Sequence, residues 1–74
     1  MRIKINSCEE LGEFIRQRRK KGTHPVTQKK LAGLTGVGPR FLGELENGKP
    51  TAQVGHVFRV LQNLGIDIIF EVSE

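Results

Sequence analysis

A short segment near the middle of the chain carries polar groups that could read the edges of DNA bases. Arg40, Gly43, Glu44 and Asn47 follow the i, i+3, i+4 and i+7 spacing that places residues on one face of a helix. In a major groove, Arg40 could donate hydrogen bonds to guanine, and Glu44 could accept one from cytosine. The alternative is an ordinary amphipathic helix whose polar face is only solvated.

The segment from Gln28 to Asn47 predicts two short helices that would hold this face outward. A Gly-Val-Gly sequence at 36–38 marks a sharp bend, because glycine tolerates a positive φ. Pro39 fits the first position of the second helix, and Gly48 fits its C-terminal end. The residues expected to point inward are Leu31, Ala32, Leu42 and Leu45. Together these features predict a helix-turn-helix and favour the base-reading interpretation.

Length and composition limit the other possibilities. Seventy-four residues predict a single domain over 1–74 with a small core, so we expect dimerisation. The chain contains no apolar run long enough to span a membrane, and its alternating N-terminus does not resemble a secretory signal. The lone Cys8 fits a reducing, cytoplasmic environment.

The sequence lacks the motifs of an enzyme. It has no paired carboxylates, no nucleophile beside a base and no phosphate-binding loop. His24 and His56 lack the accompanying Cys or carboxylate spacing of a metal site. We therefore expect a protein without catalytic activity, metal or cofactor.

Positive charge is concentrated before and inside the first helix of the motif. The net charge is +4, and seven basic residues but no acidic one lie between Arg16 and Lys30. Thr27 is the expected N-cap of that helix, whose free N–H groups would form a phosphate site with Gln28 and Lys29. The basic residues expected to attract phosphates are Arg16, Arg18, Lys20, Lys21, Lys29 and Lys49.

The flanking sequence predicts two further helices and two strands. A capping box, Ser7 to Glu10, begins the first helix, and Thr51 can cap the last. The predicted helices are 8–21, 28–35, 39–47 and 52–64, and the predicted strands are 2–5 and 66–72. The apolar face of the second strand consists of Ile66, Ile68, Phe70 and Val72.

That apolar strand must find a partner, because an unpaired apolar edge is unfavourable in water. The candidates are the N-terminal strand and the same strand of a second subunit. Opposite charges favour the first candidate, since Arg2 and Lys4 would face Asp67 and Glu71. We predict a mostly α fold in which both pairings contribute to an intersubunit sheet and form the dimer interface.

The runs LGEFIRQRRKK and VTQKKLAGLTGVGPRFLGELENGKP resemble the Xre/Cro-type helix-turn-helix regulators. The following TAQVGHVFRVLQNLGIDIIFEV, a helix and then a hydrophobic strand, is similar to the HipB-like branch of that family. The resemblance covers about residues 11–72 and implies a lambda-repressor-like domain of four helices.

The resemblance also implies roles for individual positions. The positions that read bases in this family correspond to Pro39, Arg40, Gly43 and Glu44. Gln28 would bind phosphate or a base beside it, and the turn containing Asn47 and Lys49 would clamp the DNA backbone. Arg19 would form a structural ion pair with Glu46. Gly38 and Pro39 stand where family members often have side chains that donate hydrogen bonds. Arg40 therefore becomes the strongest candidate base reader. Glu44 could equally be a solvated carboxylate.

At the level of function, the resemblance implies a homodimeric repressor that binds an inverted-repeat operator in double-stranded DNA. The HipB-like branch further implies an antitoxin that binds a HipA-like kinase toxin and represses their shared operon. Two alternatives stay open, a stand-alone Xre-family regulator without a toxin and a protein-interaction module that does not bind DNA.

Overall fold

The protein, described here by a computed structural model over residues 1–73, contains four helices. They are α1 (Cys8–Lys21), α2 (Gln28–Thr35), α3 (Pro39–Glu46) and α4 (Val54–Asn63). Each helix begins and ends within two residues of the range that the sequence predicts. Within the described part of the chain, no helix is long and apolar enough to cross a membrane.

Local hydrogen bonds explain where the first two helices begin. The Ser7 hydroxyl accepts from the backbone N–H of Glu10 at 3.0 Å, and the Glu10 carboxylate accepts from the N–H of Asn6 at 2.7 Å. At α2, the Thr27 hydroxyl accepts from the N–H of Lys30 at 3.1 Å. Side chains therefore satisfy N–H groups that the first helical turn leaves without partners.

The ends of α3 and α4 differ slightly from the prediction. Asn47 is the C-cap of α3, and Gly48 follows it with a φ of +86°. The chain then turns at residues 50–51 and becomes extended, so that Gln53 and not Thr51 is the N-cap of α4. Thr51 was expected to cap α4, and this expectation is wrong because the turn places Thr51 too far from the helix.

The core lies where the four helices meet. The helix α3 packs against α1 and α2, and α2 also packs against α4. Gly36 has a φ of +76° and makes the bend between α2 and α3. The buried apolar side chains are Ile15, Leu31, Ala32, Val37, Leu42, Leu45, Val57, Val60 and Leu61. All four residues that the sequence directs inward from α2 and α3 are among them.

The first helix crosses the C-terminal end of α3 at Gly12 with no room for a side chain. A Cβ atom at Gly12 would meet the carbonyl oxygen of Leu45 and would lie 2.6 Å from that of Glu46. At Gly48, a Cβ atom would lie 2.9 Å from the Cα of Glu9. The backbone of α1 therefore supports the end of α3 directly.

The structure corrects the prediction of two strands. Residues 1–73 contain no strand, and no backbone hydrogen bond joins the segments 2–5 and 66–72. The two segments do lie together, because the Arg2 guanidinium contacts the Glu71 carboxylate. Two segments of this length bury too little apolar surface to hold a ladder by themselves, so Phe70 stays 84% exposed.

The predicted apolar face of the segment 66–72 is thereby divided between the core and the surface. Ile66 packs against the core, whereas Ile68, Phe70 and Val72 are exposed. The predicted intersubunit sheet consequently has no support within the described chain.

Candidate nucleic-acid interface

The outer face of α3, defined as Pro39, Arg40, Gly43 and Glu44, lies opposite the buried face of the same helix. Leu42 and Leu45 anchor the helix in the core, and the side chain of Arg40 is 91% exposed. Gly43 and Glu44 are half-buried, and Asn47 is exposed just beyond the helix. A helix held in this way presents its polar groups outward from a rigid support, as insertion into a major groove requires.

Glu44 holds two cations at this face. Its carboxylate accepts a hydrogen bond from the Lys49 ammonium at 3.2 Å and lies 3.5 Å from Arg40 Nε. The hydrogen bond from Lys49, together with the charges of Lys49 and Arg40, holds the pKa of Glu44 below its ordinary value despite partial desolvation. Glu44 is therefore an ionised hydrogen-bond acceptor. Because ion pairs at a protein surface are weak, DNA could replace Glu44 as the partner of Arg40 and Lys49.

The N-terminus of α2 contains the other predicted contacts. Thr27 caps the helix and Lys29 is exposed, as a phosphate site requires. Gln28 is half-buried, and its Nε2 donates a hydrogen bond to Glu46 Oε1 at 2.9 Å. One of the two amide N–H groups is therefore unavailable to DNA, which the sequence did not predict.

Glu46 also forms a bidentate ion pair with Arg19. Arg19 Nε donates to Glu46 Oε2 at 2.7 Å and Nη2 donates to Oε1 at 2.9 Å, while Nη1 donates to the carbonyl oxygen of Val26 at 3.1 Å. Arg19 is only 7% exposed and Glu46 only 4%. The pair joins α1 to the end of α3 and to the loop before α2.

The environment of Glu46 lowers its pKa. Burial acts to raise the pKa of this carboxyl, but hydrogen bonds from Arg19 and Gln28 and the charges of Arg19 and Arg16 outweigh burial. A carboxyl whose pKa is lower in the folded state stabilises the fold above its unfolded pKa, and this contribution is lost as the pH falls through the folded pKa.

We therefore expect acid to destabilise the protein through Glu46. The free energy of unfolding, measured by urea titration at stepped pH, should be nearly constant from neutral pH to about 4.5 and should decrease at lower pH. A Glu46→Gln variant has no titrating group at this position, so its stability should decrease less over the same acidic range. An equal decrease in both proteins would contradict this assignment.

The basic residues of α1 do not all share one face. Gly12 and Arg19 contact the end of α3, so Arg16, which lies within one turn of both, is on the side of α1 that faces α3, and Lys20 follows one turn later. Arg18 and Lys20 flank Arg19 on opposite sides of the helix, and Lys21 lies on the side opposite to Arg19, as helical spacing requires. Arg16, Arg18, Lys20 and Lys21 are all exposed. Of these four residues, Lys21 is therefore the one that helical spacing directs away from the end of α3.

Comparison with known proteins gives two sequence matches. The helix-turn-helix family HTH_3 matches residues 15–70. A protein of Sinorhizobium fredii (strain NBRC 101917 / NGR234), described as the uncharacterized HTH-type transcriptional regulator y4mF, is 46% identical over 68 residues. The alignment covers 92% of this chain and 87% of that protein.

Solved structures of HipB have a similar fold. The chain superimposes on HipB in the HipB-O4 20mer complex with a TM-score of 0.84, covering 99% of this chain and 100% of that one. Against a chain of the HipA-HipB-O2-O3 complex the TM-score is 0.85, with the same coverage. Sequence identity is 22% in both cases, so the likeness shows a shared fold.

Proposed function

Because this chain belongs to the Xre-type helix-turn-helix family of transcriptional regulators, we propose that it is a repressor that reads a specific DNA sequence with the outer face of α3. The observation that carries the proposal is the exposed Arg40, which α3 directs away from a core anchored by Leu42 and Leu45. The same helix presents no catalytic arrangement. DNA recognition is the function that this geometry supports best.

In this proposal α3 enters the major groove while flanking groups bind the DNA backbone. Arg40 donates to guanine O6 and N7, and Glu44, on losing its contact with Arg40, accepts from cytosine N4. Pro39 and Gly43 allow the helix to approach closely. The residues assigned to phosphates are Thr27, Gln28, Lys29, Asn47, Lys49, Arg18, Lys20 and Lys21, of which Lys21 fits this role least because helical spacing directs it away from α3.

Replacement of Arg40 by alanine tests this assignment. The variant should lose preference at one base pair in each half-site, by roughly 1–3 kcal/mol, because a bidentate contact to guanine is lost. Competition binding against operator duplexes substituted at each position measures the effect. Lys29→Ala is the matched control, since the loss of a phosphate contact should weaken binding to all duplexes alike. A uniform loss in Arg40→Ala would show that Arg40 is only a phosphate contact.

We further propose that the protein binds DNA as a homodimer on an inverted repeat. Support comes from the terminal segments, where apolar side chains and unpaired backbone groups are both exposed. A second copy could supply the ladder that residues 2–5 and 66–72 do not form within one chain. Two copies of α3 related by a two-fold axis would then reach successive major grooves.

Deletion of residues 66–74 tests the dimer. We expect light scattering to give a dimer mass for the intact chain and a monomer mass for the truncated one, because the pairing surface has been removed. Circular dichroism should still show the helices, since only Ile66 among the described residues of this segment packs against the core. An unchanged dimer mass would rule out the terminal segments as the interface.

The HipB likeness supports a more specific version of the proposal. One of the matching structures contains HipA together with HipB and DNA. We propose that this chain is the cytoplasmic antitoxin of a HipA-like kinase encoded beside it. The nearest alternative is a stand-alone regulator, and the test is co-purification with the product of a neighbouring HipA-like gene. Failure to bind its own promoter would instead favour a protein-interaction module.

A further inference from the structure

The side-chain amide of Gln28 lies along α3 in a defined direction. Its Nε2 is bonded to Glu46, and its Oε1 lies 3.7 Å from the position that a Cβ atom of Gly43 would occupy. Gly43 precedes Glu46 by three positions, so the amide spans about one helical turn. The oxygen therefore points toward the half of α3 that carries Arg40.

The charge of Glu46 fixes this direction. A carboxylate can only accept hydrogen bonds, so the amide nitrogen must face it, and the reversed amide would bring two oxygens together. Arg19 holds the carboxylate in place through two hydrogen bonds. Within residues 1–73, Gln28 Oε1 accepts no hydrogen bond, and Gly43 contributes no side chain that would cover it.

We propose that Gln28 Oε1 accepts a hydrogen bond from the exocyclic amino group of a base, and that Glu46 and Gly43 are positioning residues for this contact. Phosphate oxygens are acceptors and cannot bond to an outward-facing oxygen. Adenine N6 and cytosine N4 are the amino donors that a major groove presents. The inference rests on the proposed DNA binding and gives Gln28 a base contact through Oε1, beside the phosphate contact that its second amide N–H can make.

The test compares Gln28→Met with the unchanged protein. The probe is a duplex that the unchanged protein selects from random DNA, together with copies in which each base pair is replaced in turn. Gln28→Met should lose roughly threefold to tenfold of the discrimination at one position per half-site. At that position, purine in place of adenine, or 2-pyrimidinone in place of cytosine, removes the amino group and should weaken only the unchanged protein.

Two further variants separate base reading from other effects. Lys29→Met removes a neighbouring exposed cation and should weaken all duplexes equally. Gln28→Lys keeps a donor toward Glu46 but has no acceptor, so it should lose the same discrimination even if Gln28→Met folds poorly. Partial unfolding lowers binding to every sequence alike and cannot mimic a loss at one position.

The outcomes distinguish this inference from the proposed function. If Gln28→Met and Gln28→Lys change binding to all duplexes by one common factor, Gln28 does not read a base, although DNA recognition by α3 stands. If the unchanged protein selects no sequence, the proposed function is wrong and this inference is wrong with it.

Discussion

Replacement of Gly12 by alanine is expected to lower the free energy of unfolding by about 3 kcal/mol, at the upper end of the range for overpacked sites. The added methyl group would meet the carbonyl oxygens of Leu45 and Glu46, and backbone cannot move aside as a flexible side chain can. For a domain of this size, such a loss lowers Tm by more than about 10 °C. Thermal and urea unfolding followed by circular dichroism measure it.

Gly33 provides the matched control for this experiment. It lies inside α2, and nothing lies within 4 Å of the position that its Cβ atom would take. Alanine is a better helix former than glycine, so Gly33→Ala should raise the free energy of unfolding by about 0.5–1 kcal/mol. The same substitution in two helices should thus change the free energy of unfolding in opposite directions. Similar shifts in both variants would contradict the close crossing of α1 and α3.

Replacement of Glu46 by glutamine is expected to cost about 3 kcal/mol of unfolding free energy. The variant keeps the shape of the side chain but leaves the charge of Arg19 buried without a counter-charge. The amide of glutamine also presents a donor where Arg19 and Gln28 already donate. Urea titration at neutral pH measures the loss.

The exposed pair Arg2–Glu71 is the control for the buried one. Its side chains are 82% and 79% exposed, so Glu71→Gln should change the unfolding free energy by less than about 0.5 kcal/mol. The double variant Arg19→Met/Glu46→Leu should recover part of the loss, because no unpaired charge stays in the core. Equal effects of Glu46→Gln and Glu71→Gln would show that the buried pair adds no more stability than the surface pair.

The helices could be predicted from the sequence because their signals are local. Ser7 and Thr27 mark helix starts through hydrogen bonds to residues three positions later, and Pro39 fits a helix start by its fixed φ. The strands could not be predicted in the same way. Alternation indicates a preference for extended backbone, but a strand exists only where a partner supplies a ladder of hydrogen bonds. Within the described chain, residues 67–72 have no backbone hydrogen-bond partner, and the N–H of Ile66 donates only to the carbonyl oxygen of Leu61 in the turn after α4.

The candidate site was predictable in part for the same reason. Helical spacing alone places Arg40 and Glu44 on the outer face of α3. The contact of Lys49 with Glu44 depends on the turn after α3, in which the Lys49 N–H donates to the Glu44 carbonyl oxygen at 3.0 Å. The bond from Gln28 to Glu46 joins residues 18 positions apart and follows only from the packing of α2 on α3.

Two interactions of α1 show which contacts could not be predicted from the sequence. A glycine inside a helix, as at position 12, signals close packing, but the sequence does not say what packs there. The pairing of Arg19 with Glu46 is implied by the family resemblance, whereas helical spacing does not identify the two residues as partners. Contacts between residues this far apart in the sequence can be identified only from the tertiary structure.

In addition to the buried Leu42 and Leu45, the supports of α3 are concentrated at its C-terminal end, where Gly12, Arg19 and the turn at Gly48 hold it. The exposed half that carries Arg40 contributes nothing to these supports. Under the proposed base reading, exchanging exposed residues of α3 should change the preferred operator while the folding stability is preserved. The same separation makes the helix a suitable host for grafting a chosen specificity.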